Sequence, residues 1–189
     1  MIIIHGANSA AVEMQPFIEA LRPFTPAVAL SLPGHGGRPL DAPMTVPRFA
    51  DDVIAFMDRE GIERAVLAGY SFGGAIALYV ARHFPQRVSG VVALATKYVF
   101  DEATIRHWTH LVQPERLGRA GNPRTAELEK IHAPNAWQDV ARANAGLFQT
   151  LLASAPLSDD DLAQIRAPVM IVSSKMDQIA PWNETMALA

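Results

Sequence analysis

Gly69-Tyr70-Ser71-Phe72-Gly73 sets a serine between two glycines, and its flanks give the hydroxyl a use. Arg64-Ala65-Val66-Leu67-Ala68 precedes it as an apolar run of strand length. Gly74-Ala75-Ile76-Ala77-Leu78-Tyr79-Val80-Ala81-Arg82 follows as an apolar run of helix length that stops near Pro85. A serine on such a strand-to-helix turn is pushed out of the backbone above the end of the sheet, where its Oγ can attack a carbonyl. Small residues at Gly69 and Gly73 are a steric requirement, because the turn brings strand and helix backbones too close for side chains. The helix N-terminus behind Ser71 favours negative charge and therefore suits an oxyanion. The plainer reading is a tight βα turn that happens to carry serine; the strand before and the buried helix after favour the nucleophile.

The elements that must hold this turn alternate along the chain. Strand patterns fall at about 2–5, 27–32, 65–70, 88–95 and 168–173, with helical spacing between them. Met14, Phe17, Ile18 and Leu21 mark one helix face. Phe49, Val53, Phe56 and Met57 mark another, which Gly61 ends. Alternation with short connections predicts an α/β fold, a parallel sheet with helices on both faces and right-handed crossovers. Ligands of such sheets bind where the strand order reverses. From Tyr98 to Leu162 the alternation breaks into helical patterns. These carry Ile105, Trp108 and Leu111, then Leu117, Leu128 and Ile131, then a longer helix from about 137 to 154; Ser158 caps a short helix start.

Three further motifs join the serine turn. Ile2-Ile3-Ile4-His5-Gly6-Ala7-Asn8 is a strand ending in His-Gly. Ser31-Leu32-Pro33-Gly34-His35-Gly36 is a "PGHG" loop. Pro168-Val169-Met170-Ile171-Val172-Ser173 is followed by Asp177 and Pro181. Together these resemble the α/β-hydrolase fold family over nearly the whole chain. The resemblance implies a sheet of about five strands in the order 2-1-3-4-5. It implies a core formed by residues 1–97 and 163–189, and a helical cap inserted at 98–162. It implies Ser71 as nucleophile, Asp177 as triad acid, and an oxyanion hole from the backbone N–H groups of Ala7 and Phe72. Asn8, Tyr70 and Trp108 are then expected around the substrate, with His5, Gly6, Gly69 and Gly73 as structural parts of the turn and its neighbouring loop. The implied substrate is a small ester or related acyl compound, and no cofactor is implied.

One part of the family pattern is absent. The six histidines, at 5, 35, 83, 107, 110 and 132, all precede Asp177, whereas the family's base follows its acid. The expectation is a family core trimmed at both ends, whose base comes from further along a longer chain. His5 reads as support for the loop rather than as a base, and His35 as structural. His107 and His110 have helical metal spacing but no carboxylate partner at that spacing, so no metal is expected. Asp101 and Glu102 read as a helix cap, and Trp182 as packing. The second reading is a hydrolase-fold protein that binds a ligand with weak or no turnover.

Composition bounds the rest. The chain has 189 residues, 50% hydrophobic and 19% charged, which suits one domain with a helix-covered sheet. The net charge of −3 with no basic run argues against nucleic acid. No cysteine is present, which excludes disulfide and thiolate chemistry. No signal peptide pattern and no apolar run of about 20 residues appears, so a cytoplasmic protein without membrane partners is expected. Strands 27–32 and 168–173, if left as outer strands, offer edges that invite self-association.

Overall fold

The computed structural model describes residues 1–97, 100–177 and 179–186. Tyr98, where the insertion was expected to start, and Gln178 of the acidic turn lie outside the described residues. Five strands form one parallel sheet: β1 (Ile2–Ile4), β2 (Val28–Leu30), β3 (Ala65–Tyr70), β4 (Val88–Leu94) and β5 (Val169–Val172). Their order is β2-β1-β3-β4-β5, as the resemblance implies. Register pairs Ile4 with Gly69, Tyr70 with Leu94, and Leu94 with Val172, so the carboxyl ends of β1, β3, β4 and β5 lie along one edge of the sheet.

Two helices cover one face. In α2 (Val46–Arg59), the Thr45 side chain accepts the Arg48 N–H at 3.2 Å and Pro47 stands in the first turn. Its stripe of Phe49, Val53, Phe56 and Met57 is buried. Gly61, at φ +66, ends the helix in the left-handed conformation glycine adopts without cost. The apolar α3 (Phe72–His83) is buried on nearly all sides and lies against β1 and β3. Ile2, Ile4, Leu67 and Val91 fill the space beneath them.

The other face is only partly covered. A 3-10 turn (Ala11–Met14) leads into α1 (Gln15–Leu21), whose expected apolar face buries Met14 but leaves Phe17 45% exposed. Phe17, Leu21 and Phe24 line one side of an open groove of about 330 Å³, and Ile3, Tyr70, Val92 and Leu94 form the rest of its wall. Register places Met170 and Val172 on that same sheet face. On β5, Val169, Met170 and Val172 are 39%, 61% and 38% exposed. β5 is an outer strand, and among the described residues no helix packs over the face that carries Met170 and Val172; Val169 alternates to the opposite face.

Between β4 and β5 run α4 (Glu102–Val112), α5 (Pro114–Leu117), α6 (Arg124–His132), α7 (Trp137–Ala153) and α8 (Asp159–Ala163). The pair α4 and α7 pack on each other, and α8 returns to the sheet layer through the Arg82–Asp161 ion pair at 3.1 Å. Asp101 caps α4 by accepting the Thr104 N–H at 2.7 Å, as its sequence position suggests. Ser158 and Asp161 form a reciprocal capping box on α8. No helix among the described residues is long and apolar enough to cross a membrane.

An open apolar face beside an unpaired strand edge favours association. Residues 1–189 are expected to show concentration-dependent light scattering. Met170→Lys, which adds a charge to the edge and leaves pairing to β4 intact, is expected to reduce it. Equal scattering by both proteins would contradict the use of this face.

Candidate active site

Ser71 follows the last residue of β3 and precedes the first of α3. Its backbone sits at φ 53, ψ −122, a conformation that costs a non-glycine residue about 1–3 kcal/mol and persists only when its surroundings impose it. The surroundings are identifiable. The Ser71 N–H donates to the Leu94 carbonyl at 2.8 Å. The Ser71 carbonyl accepts the Gly74 N–H and the Thr96 hydroxyl, each at 3.0 Å. A β-carbon on Gly69 would collide with the Gly73 carbonyl, and one on Gly73 with the Ile4 carbonyl. Glycine at both positions is therefore a consequence of backbone-to-backbone approach. Thr96 and Gly74 were not singled out by sequence; Gly74 must be small because a β-carbon there would strike Thr96 Oγ1.

The His-Gly loop meets this turn. A β-carbon on Gly6 would lie 3.2 Å from Ser71 Cβ. Neither the Ala7 nor the Phe72 N–H has an acceptor among the described residues, and Phe72 opens α3, whose N-terminal dipole favours negative charge. The serine hydroxyl likewise has no hydrogen-bond partner among the described residues. The arrangement can present a nucleophilic oxygen with two free N–H groups on adjoining segments.

Asp177 lies in the turn after β5. Its Oδ1 accepts the N–H groups of Ile179 and Ala180 at 2.8 and 2.9 Å, which closes the turn. No hydrogen bond joins Ser71 and Asp177 among the described residues. No histidine hydrogen-bonds to Ser71 among the described residues. His83 stacks on Tyr79 at the far end of α3, and His107 and His110 are exposed on α4.

The other three histidines form a buried cluster. Ring centroids of His5 and His35 are 5.0 Å apart, and those of His35 and His132 5.8 Å. His5 Nδ1 donates to the Gly6 carbonyl at 2.7 Å while its Nε2 accepts the Leu32 N–H at 3.0 Å, tying the His-Gly loop to the chain after β2. His35 Nδ1 donates to the Pro33 carbonyl at 3.1 Å, which leaves Nε2 to accept from Asn144 at 3.0 Å. His132 Nδ1 accepts the Gly36 N–H at 3.2 Å. Burial pushes His5 down to about 4 and His35 down to about 3. Desolvation also lowers His132, against the raising influence of the Asn8 carbonyl and Glu13.

The three residues expected around the substrate are not brought together. Tyr70 is 42% exposed and faces the groove beside α1. Trp108 is buried within the insertion, edge-on to Phe148 at 5.2 Å, and Phe148 in turn meets Phe72 at 5.5 Å. Asn8 is buried with its side chain fully engaged. Its Oδ1 accepts from Asn144 at 2.9 Å and its Nδ2 donates to the Val112 carbonyl at 3.4 Å. Arg124 ion-pairs with Glu13 and donates to the Asn8 carbonyl at 3.0 Å. Burial pushes Glu13 up, but hydrogen bonds from Arg124 and Ser9 outweigh it and hold the carboxyl below its ordinary value. Arg124, His132 and Asn144 carried no local signal beyond one: Asn144 is a polar residue among the apolar positions Val140, Leu147 and Phe148.

A five-stranded parallel sheet with a serine on a strained strand-to-helix turn at its carboxyl edge defines the hydrolases built on this sheet. The sequence pattern of the alpha/beta hydrolase family matches residues 1–189, and the chain belongs to that family. It is 34% identical over 120 residues to the lipase LipV of Mycobacterium tuberculosis, covering 62% of this chain and 44% of that one. It is 24% identical over 204 residues to a pimeloyl acyl-carrier protein methyl ester esterase of Vibrio campbellii, covering 96% and 77%. Among solved structures, a thermophilic esterase from Thermogutta terrifontis superposes with a TM-score of 0.75 at 23% identity, over 100% of this chain and 75% of that one. The chain spans 24% to 64% of the length of three of the curated relatives it matches, the lipase among them.

The histidine cluster predicts acid sensitivity. His5 and His35 are neutral in the fold but titrate near their ordinary value of 6.5 when unfolded. Stability is therefore full above pH 6.5 and falls as pH drops toward 4 and then 3, because the unfolded chain takes up protons that the folded chain refuses. Each histidine contributes a slope of up to about 1.4 kcal/mol per pH unit. Urea midpoints measured from about pH 7 to about pH 4.5 should fall steeply; a flat profile would contradict the buried neutral pair.

Proposed function

We propose that this chain is the core of a serine hydrolase acting on a small carboxylic ester or related acyl compound through an acyl-enzyme. The observation that carries the reading is Ser71 itself, held at φ 53 with free N–H groups on the segments either side of it. Ser71 Oγ attacks the carbonyl carbon and gives its proton to a histidine base. The Ala7 and Phe72 N–H groups hold the oxyanion, a contribution of about 3–4 kcal/mol per donor in comparable sites. The alcohol leaves with the proton from the imidazolium, and water then releases the acid by the same route. Asp177 orients the base. No histidine hydrogen-bonds to Ser71 among the described residues, and none of the six is assigned as the base. Residues 98–162 act as a cap that limits substrate size. The ester chemistry of the lipase and methyl ester esterase relatives supports the substrate class.

A fluorophosphonate probe is expected to label the full-length protein at Ser71, and Ser71→Ala to abolish both labelling and p-nitrophenyl ester hydrolysis. Asp177→Asn is expected to lower kcat by up to about 10⁴-fold while leaving the fold intact. Labelling that survives Ser71→Ala would overturn the assignment.

The second reading is a ligand-binding protein with little turnover, favoured by the absence of any histidine bonded to Ser71. Residues 1–189 alone are expected to turn over p-nitrophenyl ester only as far as an oxyanion hole and binding allow, about 10³–10⁴-fold over water. Robust Ser71-dependent turnover by these residues would show that one of the six histidines reaches the serine.

A further inference from the structure

Ala7 is held on its two sides by different parts of the molecule. On one side Gly6 is wedged against Ser71. On the other, Asn8 adopts φ 52, a left-handed backbone that non-glycine residues seldom take and that asparagine tolerates better than most. Ala7 and Asn8 stand in a turn of the main chain. The side-chain ties of Asn8, and the donor to its carbonyl, come from the helical insertion. The carbonyl of Val112, at the end of α4, accepts from its side chain; the Arg124 guanidinium, at the start of α6, donates to its carbonyl; the Asn144 amide, in the middle of α7, donates to its Oδ1.

Asn144 is the most constrained of these three. It is 1% exposed, and its Nδ2 faces Asn8 Oδ1 at 2.9 Å, His35 Nε2 at 3.0 Å and its own helix carbonyl of Val140 at 3.0 Å. All three are acceptors, since His35 spends its only N–H on the Pro33 carbonyl, so the two N–H hydrogens are shared among them and the amide nitrogen must face this side, while Oδ1 is buried with no hydrogen-bond partner among the described residues. One turn further along, Phe148 packs edge-on against Phe72. A single face of α7 therefore touches Asn8, next to Ala7, and Phe72, which carries the other free N–H group.

We propose that Asn144 is a positioning residue that sets the aim of the Ala7 N–H through Asn8, so that the oxyanion hole is completed by the helical insertion and not by the sheet alone. This rests on the serine-hydrolase reading. A donor fixed from outside its own loop is displaced when the tie is cut, and a misplacement of about 1 Å at a reacting centre costs about 10²-fold in rate. A truncated Asn144 leaves Ser71, its elbow and the base untouched, so substrate still binds while the developing oxyanion is held less well.

The experiment uses the full-length protein, a p-nitrophenyl ester and its thiono analogue, in which C=S replaces C=O. A rigid pair of N–H donors discriminates against the larger sulfur; a loosened pair does not. Asn144→Ala is expected to lower kcat for the oxo ester by about 10–100-fold, to leave KM within about threefold, and to shrink the oxo-to-thiono ratio of kcat/KM. Asn8→Gly covers the case in which Asn144→Ala fails to fold. Glycine adopts φ 52 freely but loses the tie, and the same kcat loss and smaller ratio are expected. Unchanged kcat and ratio in either folded variant would overturn the proposal. So would a rise in KM with kcat and ratio preserved, which would make Asn144 a substrate contact. Ser71→Ala separates the two layers: hydrolysis that survives it removes the serine reading itself, whatever Asn144 does.

Discussion

The fold turns on one close approach, that of the first turn of α3 to the backbone of β1. Gly73 lies against the Ile4 carbonyl and Gly69 against the Gly73 carbonyl, with no room for a side chain in either place. Because the two backbones touch, α3 cannot slide along the sheet, and the residue joining it to β3 has no relaxed conformation open to it. The strain at Ser71 is the geometric remainder of packing a helix directly over a parallel pair of strands. Its compensation is spread over the Leu94 carbonyl, the Gly74 N–H and the Thr96 hydroxyl.

A second layer is polar. His5 fixes the loop after β1 to the chain after β2, and His35, His132 and Asn144 extend that network into the insertion. Imidazoles suit this place because a neutral ring offers one donor and one acceptor, and each of these rings has an N–H or carbonyl neighbour that decides which nitrogen is which. The same burial that makes these bonds strong keeps the rings uncharged.

How much of this could be read from sequence divides by distance along the chain. The helix stripe of α2 and the glycines of the serine turn were legible because each follows from local periodicity or from residues two apart, and the sheet order because the motifs together resemble a known family. The exposure of β5 was not, since Val169, Met170 and Val172 look the same in sequence whether or not a layer covers them. Nor was the outward face of α1, where helical spacing predicts a face without saying what lies opposite. Tyr70 illustrates a limit of a different kind: alternation along β3 turns it to the groove side of the sheet, whereas a motif records only that it precedes Ser71. The partners of Asn8 lie 104, 116 and 136 residues away, and nothing in their immediate neighbours marks them except that Asn144 interrupts an apolar face.

That last separation has a kinetic consequence. Contacts between distant residues form late, because the chain between them must be ordered before they are rewarded. The sheet strands β1 and β3 can pair, and α3 can dock, while the helices after β4 are still unformed. The Asn8–Asn144 bond then closes a loop 136 residues long. In such an order of events the serine turn is built before the loop beside it is tied down.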